Sequence, residues 1–276
     1  MWLAVDERFS ESLGRQGLRA FGDFMACRGN RVVKRLASKS IVTVELDHGA
    51  GRVTYYLKRH WGALRAGEAL RAWLSGFSVS WGRKEWEVIQ AFRACGIPTL
   101  TPAAAGECGR WLRRESFLLT EELSGFQSVE TRWRTTPPGP AEKRAMIVQI
   151  ADLTRRMHAQ GFNHRDFYLC HLFVRLDPIE GWQWRVLDLQ RVDRRRWFRS
   201  RWLIKDLAAL NYSAPAFVTL RDRCRFLRLY LGPGAGRTRL RGLARAVARK
   251  TERIRRHDRH RAARGPAPAI DDRPRA

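Results

Sequence analysis

Residues 161–174 read GFNHRDFYLCHLFV. A His-Arg-Asp triplet, an aromatic pair and a second histidine stand between a glycine and an apolar run. The preceding segment, Ala141 to Gln160, carries Met146, Ile150, Leu153 and Met157 on one face, as an amphipathic helix requires, with Gly161 as its C-terminal stop. Downstream, HLFVRLD (171–177), a turn at PIEG (178–181) and WQWRVLDL (182–189) predict a hairpin. The triplet therefore lies in a loop between a helix and a strand.

Helix, His-Arg-Asp and strand in that order are how protein-kinase-like catalytic loops are built: the aspartate faces the acceptor hydroxyl, and a metal ligand sits five residues on. Those two places are Asp166 and His171. Phosphoryl transfer also asks for a magnesium-holding carboxylate and a lysine that steadies nucleotide phosphates. Asp188, in RVLDLQ at the end of the hairpin, suits the first; Asp177 and Asp193, in turn-like or arginine-flanked sequence, are poorer candidates.

The lysine comes from farther upstream. SIVTVELD (40–47), HGAG (48–51) and RVTYYLKRH (52–60) predict an antiparallel hairpin that places Lys58 on a strand. A helix follows from about Ser80 to Cys95, ending before Gly96 and Pro98. On it Glu85 shares a face with Val88, Ile89 and Phe92, whereas Glu87 lies with Gln90, Ala91 and Ala94, so Glu85 is the inward partner for Lys58. SFLLTEEL (116–123) predicts a mostly buried strand, and the backbone near Glu121, Glu122 and Leu123 is placed to read an adenine edge. RVVKRLASKSIV (31–42) has no glycine in its turn, so a Gly-rich phosphate cradle is absent; Ala37, Ser38 and Ser40 are the small residues that would allow backbone approach.

Composition bounds the remaining choices. The chain has 276 residues, ordinary hydrophobicity and a formal net charge of +26, enough for one large domain or two lobes with affinity for polyanions. Only seven of the 53 basic residues are lysine, a bias that base composition produces as readily as a selected patch. The five cysteines are scattered and form no C-x-x-C pair, which sets aside a disulfide framework or zinc site and suits a reducing compartment. The start, MWLAVDERFSESLG, lacks the basic-then-apolar pattern of a signal peptide, and no apolar run is long enough to span a bilayer. A cytoplasmic protein is expected.

In order along the chain, LKRHWG (57–62), KEWEVIQAFRACGIPT (84–99), SFLLTEEL, HRDFYLCHLFV (164–174), VLDLQRV (186–192) and KDLAALNYSA (205–214) resemble the lipopolysaccharide kinase family, the Kdo and core-heptose kinases. The resemblance spans about residues 30–215, and HRDFYLCH is its most specific part. It implies an α+β, protein-kinase-like two-lobe fold: a small antiparallel sheet with one helix, then a mainly helical lobe. Residues 1–29 are expected as an extension, 30–123 as the smaller lobe, 124–263 as the larger lobe with basic C-terminal helices, and 264–276 as a disordered tail. By composition the breaker-rich TTPPGP (135–140) is the best candidate for the boundary between lobes, and the strand just before it could equally supply the hinge.

By the same resemblance, ATP and Mg2+ are the expected cofactors, Asp166 the catalytic base, Asp188 the magnesium ligand, and Lys58 with Glu85 the ATP-anchoring pair. His171 stands where ordinary protein kinases have asparagine, a substitution the family shares. Lys205 and Asp206 match a helix that braces the catalytic loop, so Asp206 is read as structural, bonding loop backbone; His164 is read as a packed loop histidine.

The implied reaction is transfer of the γ-phosphate of ATP to a heptose or Kdo hydroxyl of the lipopolysaccharide core. Too few residues separate Asp188 from Asp206 for a peptide-docking activation loop, which favours a glycan acceptor. QRVDRRRWFRSRW (190–202) is rich in arginine and tryptophan, types suited to phosphate-bearing glycans and to bilayer headgroups. The helix from about Thr238, with Leu240, Leu243, Val247 and Ile254 on one side, reads either as a peripheral contact on an anionic membrane surface or as a helix packed on the larger lobe. Two alternatives stand: a kinase of this fold with another glycan, small-molecule or protein acceptor, and an inert basic binder of nucleic acid or lipid. Magnesium-dependent nucleotide binding separates them, and with all four charged positions present nucleic acid is not the expected partner.

Overall fold

The computed structural model describes residues 1–47, 51–62, 76–110, 113–195 and 199–263. Most of the HGAG turn, three residues of the 190–202 segment and the 264–276 tail lie outside them. The first half of the chain supplies β1 (Trp2–Val5), α1 (Glu7–Arg15), α2 (Phe21–Ala26), β2 (Arg31–Leu36), β3 (Lys39–Asp47), β4 (Arg52–His60), α3 (Trp81–Ala94), β5 (Pro102–Arg110) and β6 (Arg113–Glu121). The strands make one antiparallel sheet in the order β1-β5-β6-β4-β3-β2.

Alternation along the strands sends side chains to two different cores. Phe117 and Leu119 of β6, with Val42, Val44, Tyr55 and Leu57, meet Phe9, Leu13, Phe21 and Phe24 of α1 and α2. Leu118, between them, faces the other way and joins Val88, Ile89 and Phe92 of α3. Residues 1–29, expected as an extension, are thus part of the sheet and its cover: β1 pairs with β5, Trp2 opposite Glu107. That pairing was hidden because β5, PAAAGECGR, is too rich in alanine and glycine for a strand pattern. Its small residues have a packing reason, since a Cβ on Gly106 would sit 2.5 Å from the Phe117 ring.

The second half contains β7 (Gln127–Ser128), α4 (Val129–Thr135), α5 (Pro140–Ala159), β8 (Phe162–Asn163), β9 (Leu172–Asp177), β10 (Gly181–Val186), β11 (Asp193–Arg194), α6 (Ser200–Ser213), α7 (Leu220–Leu231) and α8 (Arg237–Ala263). Strands β10-β9-β7 form one small sheet and β11-β8 another, and TTPPGP links α4 to α5. Val88, Ile89 and Phe92 of α3 share a continuous core with Leu153, Met157 and Phe162 below, and Phe92 meets Phe162 edge-on with ring centroids 4.8 Å apart. Fully burying side chains of this kind contributes about 1.5–3 kcal/mol each, so α3 is held to the larger lobe as well as to the sheet.

The two readings of the last helix are resolved by its neighbours. Val247, with Leu240, Leu243 and Ile254, packs against Leu207, Ala208 and Leu227 of α6 and α7. The apolar stripe of α8 is spent inside the lobe and is not free for a bilayer.

Candidate active site

α3 can lie close to the sheet because Gly82 has no side chain; a Cβ there would be 2.5 Å from the Phe117 carbonyl oxygen. Lys58 stands opposite Leu118 across β4 and β6, which places both on the α3 face. Lys58 Nζ donates to Glu85 Oε1 at 2.8 Å, and Gln190 Nε2 donates to Glu85 Oε2 at 3.0 Å. Glu85 is only 1% exposed. Burial alone would raise its pKa, but Lys58 and Gln190 outweigh it and hold the carboxyl below its ordinary value. Glu87 points away, accepting from Ser78 N and Oγ, both at 2.7 Å.

The loop after β8 is built around Asp206. This carboxylate, fully buried on α6, accepts from the backbone N–H of His164 and of Arg165, both at 2.7 Å, and faces His158 Nε2 at 3.3 Å. Arg165 has φ +72°, a left-handed conformation that costs a non-glycine residue energy and that the Asp206 bonds offset. His164 donates from Nε2 to Leu187 O at 2.9 Å, tying the loop to the residue before Asp188. Burial holds its pKa below the ordinary value, so it is a neutral packed histidine.

Asp166 then projects into the cleft. Arg191 Nη1 lies 3.0 Å from its Oδ1 and 2.8 Å from its Oδ2, and Lys205 Nζ lies 4.0 Å from Oδ1. The Asp166 carbonyl accepts from His171 Nδ1 at 2.7 Å, which turns Nε2 toward Asp188 Oδ2 at 3.5 Å. Burial pulls His171 down, but the Cys170 thiol, the Asp166 carbonyl and the Asp188 carboxylate raise it to about 9. Asp188 adopts φ +58°, the left-handed conformation aspartate tolerates best among charged residues, and its side chain is 42% exposed. Among the described residues no group of three or more His, Cys, Asp or Glu could enclose a metal. One accessible carboxylate fits magnesium, which is held by one or two carboxylates, waters and substrate phosphates rather than by an all-protein cage; His171 beside it is a cation in the metal-free protein and becomes a ligand only by losing its Nε2 proton.

At the strand end, Glu121 N is committed to Thr101 O and Glu122 N to Thr54 O, both at 2.9 Å. Among the described residues Leu123 N–H has no backbone acceptor, which leaves it available to an adenine edge. The β2–β3 turn is Ala37-Ser38, without glycine. Ser40 is not free for phosphate: it is buried and its Oγ accepts from Arg59 Nε at 3.1 Å.

Six participants were given no role from sequence. Lys39 Nζ reaches Gln190 Oε1 at 3.5 Å, its pKa lowered by burial and then by Lys58. Gln190 and Arg191, directly after Asp188-Leu189, bond the two key carboxylates Glu85 and Asp166. Lys84 ion-pairs with buried Asp193 at 3.4 Å, and Arg165 and Arg195 meet the same carboxylate at 3.1 and 3.3 Å. Asp193 is therefore a structural anchor that ties α3 to the loop. Glutamine and arginine carry no distinguishing pattern in so basic a chain; only their position next to Asp188 would have flagged them.

A two-lobe α+β protein with a buried lysine–glutamate pair facing two cleft aspartates is a protein-kinase-like phosphotransferase. Comparison with known proteins narrows the class. The family model described as "Lipopolysaccharide kinase (Kdo/WaaP) family" matches residues 29–230. The lipopolysaccharide core heptose(I) kinase WaaP of Pseudomonas aeruginosa is 37% identical over 209 residues, covering 72% of this chain and 76% of the relative. The protein of the same name from Escherichia coli strain K12 is 33% identical over 227 residues, covering 79% and 83%. A solved structure described as WaaP in complex with acyl carrier protein superposes with TM-score 0.72 at 32% identity, covering 92% of this chain and 99% of that one. The chain belongs to the lipopolysaccharide kinase (Kdo/WaaP) family.

Proposed function

We propose that this protein is an ATP-dependent kinase that transfers the γ-phosphoryl group to a heptose hydroxyl of the lipopolysaccharide core. The observation that carries the reading is the Lys58–Glu85 pair, closed at 2.8 Å between a strand and a helix over a cleft that also presents Asp166 and Asp188. Lys58, fixed by Glu85 and indirectly by Gln190, steadies the nucleotide phosphates; Leu123 N–H and the backbone of Glu121 receive the adenine. Asp188, with His171 beside it, would hold the magnesium ion, whose charge offsets that of the phosphates.

Asp166 takes the proton of the acceptor hydroxyl as the new phosphorus–oxygen bond forms and the bond from the γ-phosphorus to the β,γ-bridging oxygen breaks, with ADP leaving. Its grip by Arg191 keeps the carboxylate oriented, and one oxygen must pass from the guanidinium to the hydroxyl when the acceptor arrives. Asp206 and His164 set the loop geometry on which that approach depends, because a small misplacement of the base is expensive in rate.

We place this work in the cytoplasm, at the inner membrane face where a lipid-linked acceptor is presented. No described helix is long and apolar enough to cross a membrane. An acyl carrier protein is a suitable partner: the chain's charge of +26 complements an acidic protein. Thermal unfolding with and without the carrier protein tests this: its addition should raise the melting temperature, by less at high salt.

The function itself is tested by incubating the protein with ATP, magnesium and a dephosphorylated lipopolysaccharide core. Mass spectrometry should show the gain of one phosphate, lost when the metal is chelated. A core left unmodified under these conditions would refute the reading.

A further inference from the structure

Between α6 and α8 runs an open groove of about 670 Å³ whose wall carries six cations: Arg165, Arg201, Lys205, Arg249, Lys250 and Arg253. Ala246, Arg249, Lys250 and Arg253 stand at i, i+3, i+4 and i+7 of α8 and so share one helical flank. That flank lies beside the apolar stripe by which α8 packs on α6, so packing itself turns the cations toward α6.

Four of the six cations are not neutralised. On the other side of α8, Glu252 collects Arg255, Arg256 and Arg259 at 3.7, 3.5 and 3.0 Å. Among the described residues, Arg201, Arg249, Lys250 and Arg253 have no carboxylate within 4.0 Å, and none lines the groove. Lys205 touches only Asp166, at 4.0 Å; Arg165 is paired through Nη1 with Asp193 at 3.1 Å, and its Nε is buried without a hydrogen-bond partner. Positive charges crowded into a concave wall without counter-charge repel one another, and that repulsion is relieved when an anion enters. Trp202 forms the apolar part of the wall, with Arg165 and Arg201 guanidinium carbons 5.0 and 5.5 Å from its ring centroid. Apolar face and cations together suit a charged sugar, and the volume falls within the roughly 300–1,000 Å³ of small-ligand sites.

The geometry points to this groove as the subsite that binds the anionic sugar units flanking the acceptor hydroxyl, through their carboxylate or phosphate groups. The inference rests on the kinase reading and adds where the acceptor lies. Lys205 belongs both to the groove and to the surroundings of Asp166, so a glycan anchored there has its neighbouring hydroxyl at the base. Phospholipid headgroups carry similar anions, but α8 has no free apolar face with which to lie in a bilayer.

The test uses Arg249→Gln/Lys250→Gln/Arg253→Gln, three positions on α8 outside the catalytic machinery. Steady-state kinetics are measured with magnesium-ATP and a delipidated, unphosphorylated core oligosaccharide containing Kdo and heptose. The KM for the oligosaccharide should rise about tenfold, the yield of three modest charge contacts. The KM for ATP and kcat should stay within about twofold, the pattern of lost acceptor binding. With an oligosaccharide whose carboxylates have been reduced to alcohols, wild type and variant should converge.

An unchanged oligosaccharide KM, or an equal loss on the carboxyl-reduced acceptor, would overturn the inference. So would a variant that loses only its cosedimentation with phosphatidylglycerol vesicles, since the groove would then serve headgroups. Should the wild type fail to phosphorylate the oligosaccharide, the kinase reading falls first; calorimetric binding of the same oligosaccharide still decides the groove. Weaker binding by the variant upholds it, and equal binding or none by wild type overturns it.

Discussion

The nucleotide side and the acceptor side of the cleft handle charge in opposite ways. Toward the nucleotide, Glu85 is shared by Lys58 and Gln190, Asp206 by two backbone amides and His158, and Asp193 by Lys84, Arg165 and Arg195. Toward the acceptor, the wall between α6 and α8 carries Arg201, Arg249, Lys250 and Arg253 without carboxylate partners among the described residues. A site whose charges are already paired keeps its geometry with no ligand present, which preorganises it for phosphoryl transfer. A wall left unpaired costs stability and gains it back on binding, which suits recognition.

Each side can be broken separately. The largest effect is expected from Lys58→Ala, which removes the phosphate-steadying cation and strands buried Glu85; kcat/KM should fall by on the order of 10²–10³-fold. Steady-state assays varying ATP check this, and a loss confined to the acceptor KM would blur the distinction between the two sides.

Asp206→Ala comes next. It orphans two loop amides, so stability should drop by about 2–3 kcal/mol in denaturant unfolding, with a parallel loss of turnover. Unchanged stability would mean that the loop does not depend on this anchor.

A pH effect on the paired side follows from His60, which lies beside Lys39 and Lys58. Burial holds its pKa near 4, below the ordinary 6.5, and its Nε2 has no hydrogen-bond partner. The unfolded chain therefore takes up this proton first: stability is complete above pH 6.5 and declines as the pH falls toward 4, by on the order of 3 kcal/mol. Melting temperatures across that range should decline less steeply in His60→Phe.

The smallest effect is expected on the acceptor side. Replacing Arg249, Lys250 and Arg253 together by glutamine should leave unfolding free energy within about 0.5 kcal/mol, with any change toward greater stability at low salt. A clear loss of stability would show that these cations have partners after all.

Much of this organisation was legible in the sequence because the residues concerned obey strong local constraints. Helical spacing separates Glu85 from Glu87, and the structure gives the first to Lys58 and the second to Ser78. The loop carrying Asp166 and His171 is bracketed by an amphipathic helix and a hairpin, whose periodicities differ clearly. Residues 1–29 were harder: β1 has four residues, and its partner β5 buries alanines and a glycine where a strand usually shows alternating large side chains. Lys39, Gln190 and Arg191 were invisible for another reason. Their roles depend on which element lies across the cleft, and no local pattern in an arginine-rich chain records that. The membrane reading of α8 rested on an apolar stripe that α6 and α7 cover, a tertiary fact that periodicity alone does not contain.

The central claim is that Asp166 serves the acceptor hydroxyl and not the nucleotide. Nucleotide affinity and phosphate transfer, measured on the same preparation of Asp166→Asn, address it most directly. Affinity for magnesium-ATP should stay within about threefold of wild type, while transfer to the core falls by about 10²–10⁴-fold, the usual worth of a general base. An active Asp166→Asn enzyme, or one that loses nucleotide binding and transfer together, would contradict the account.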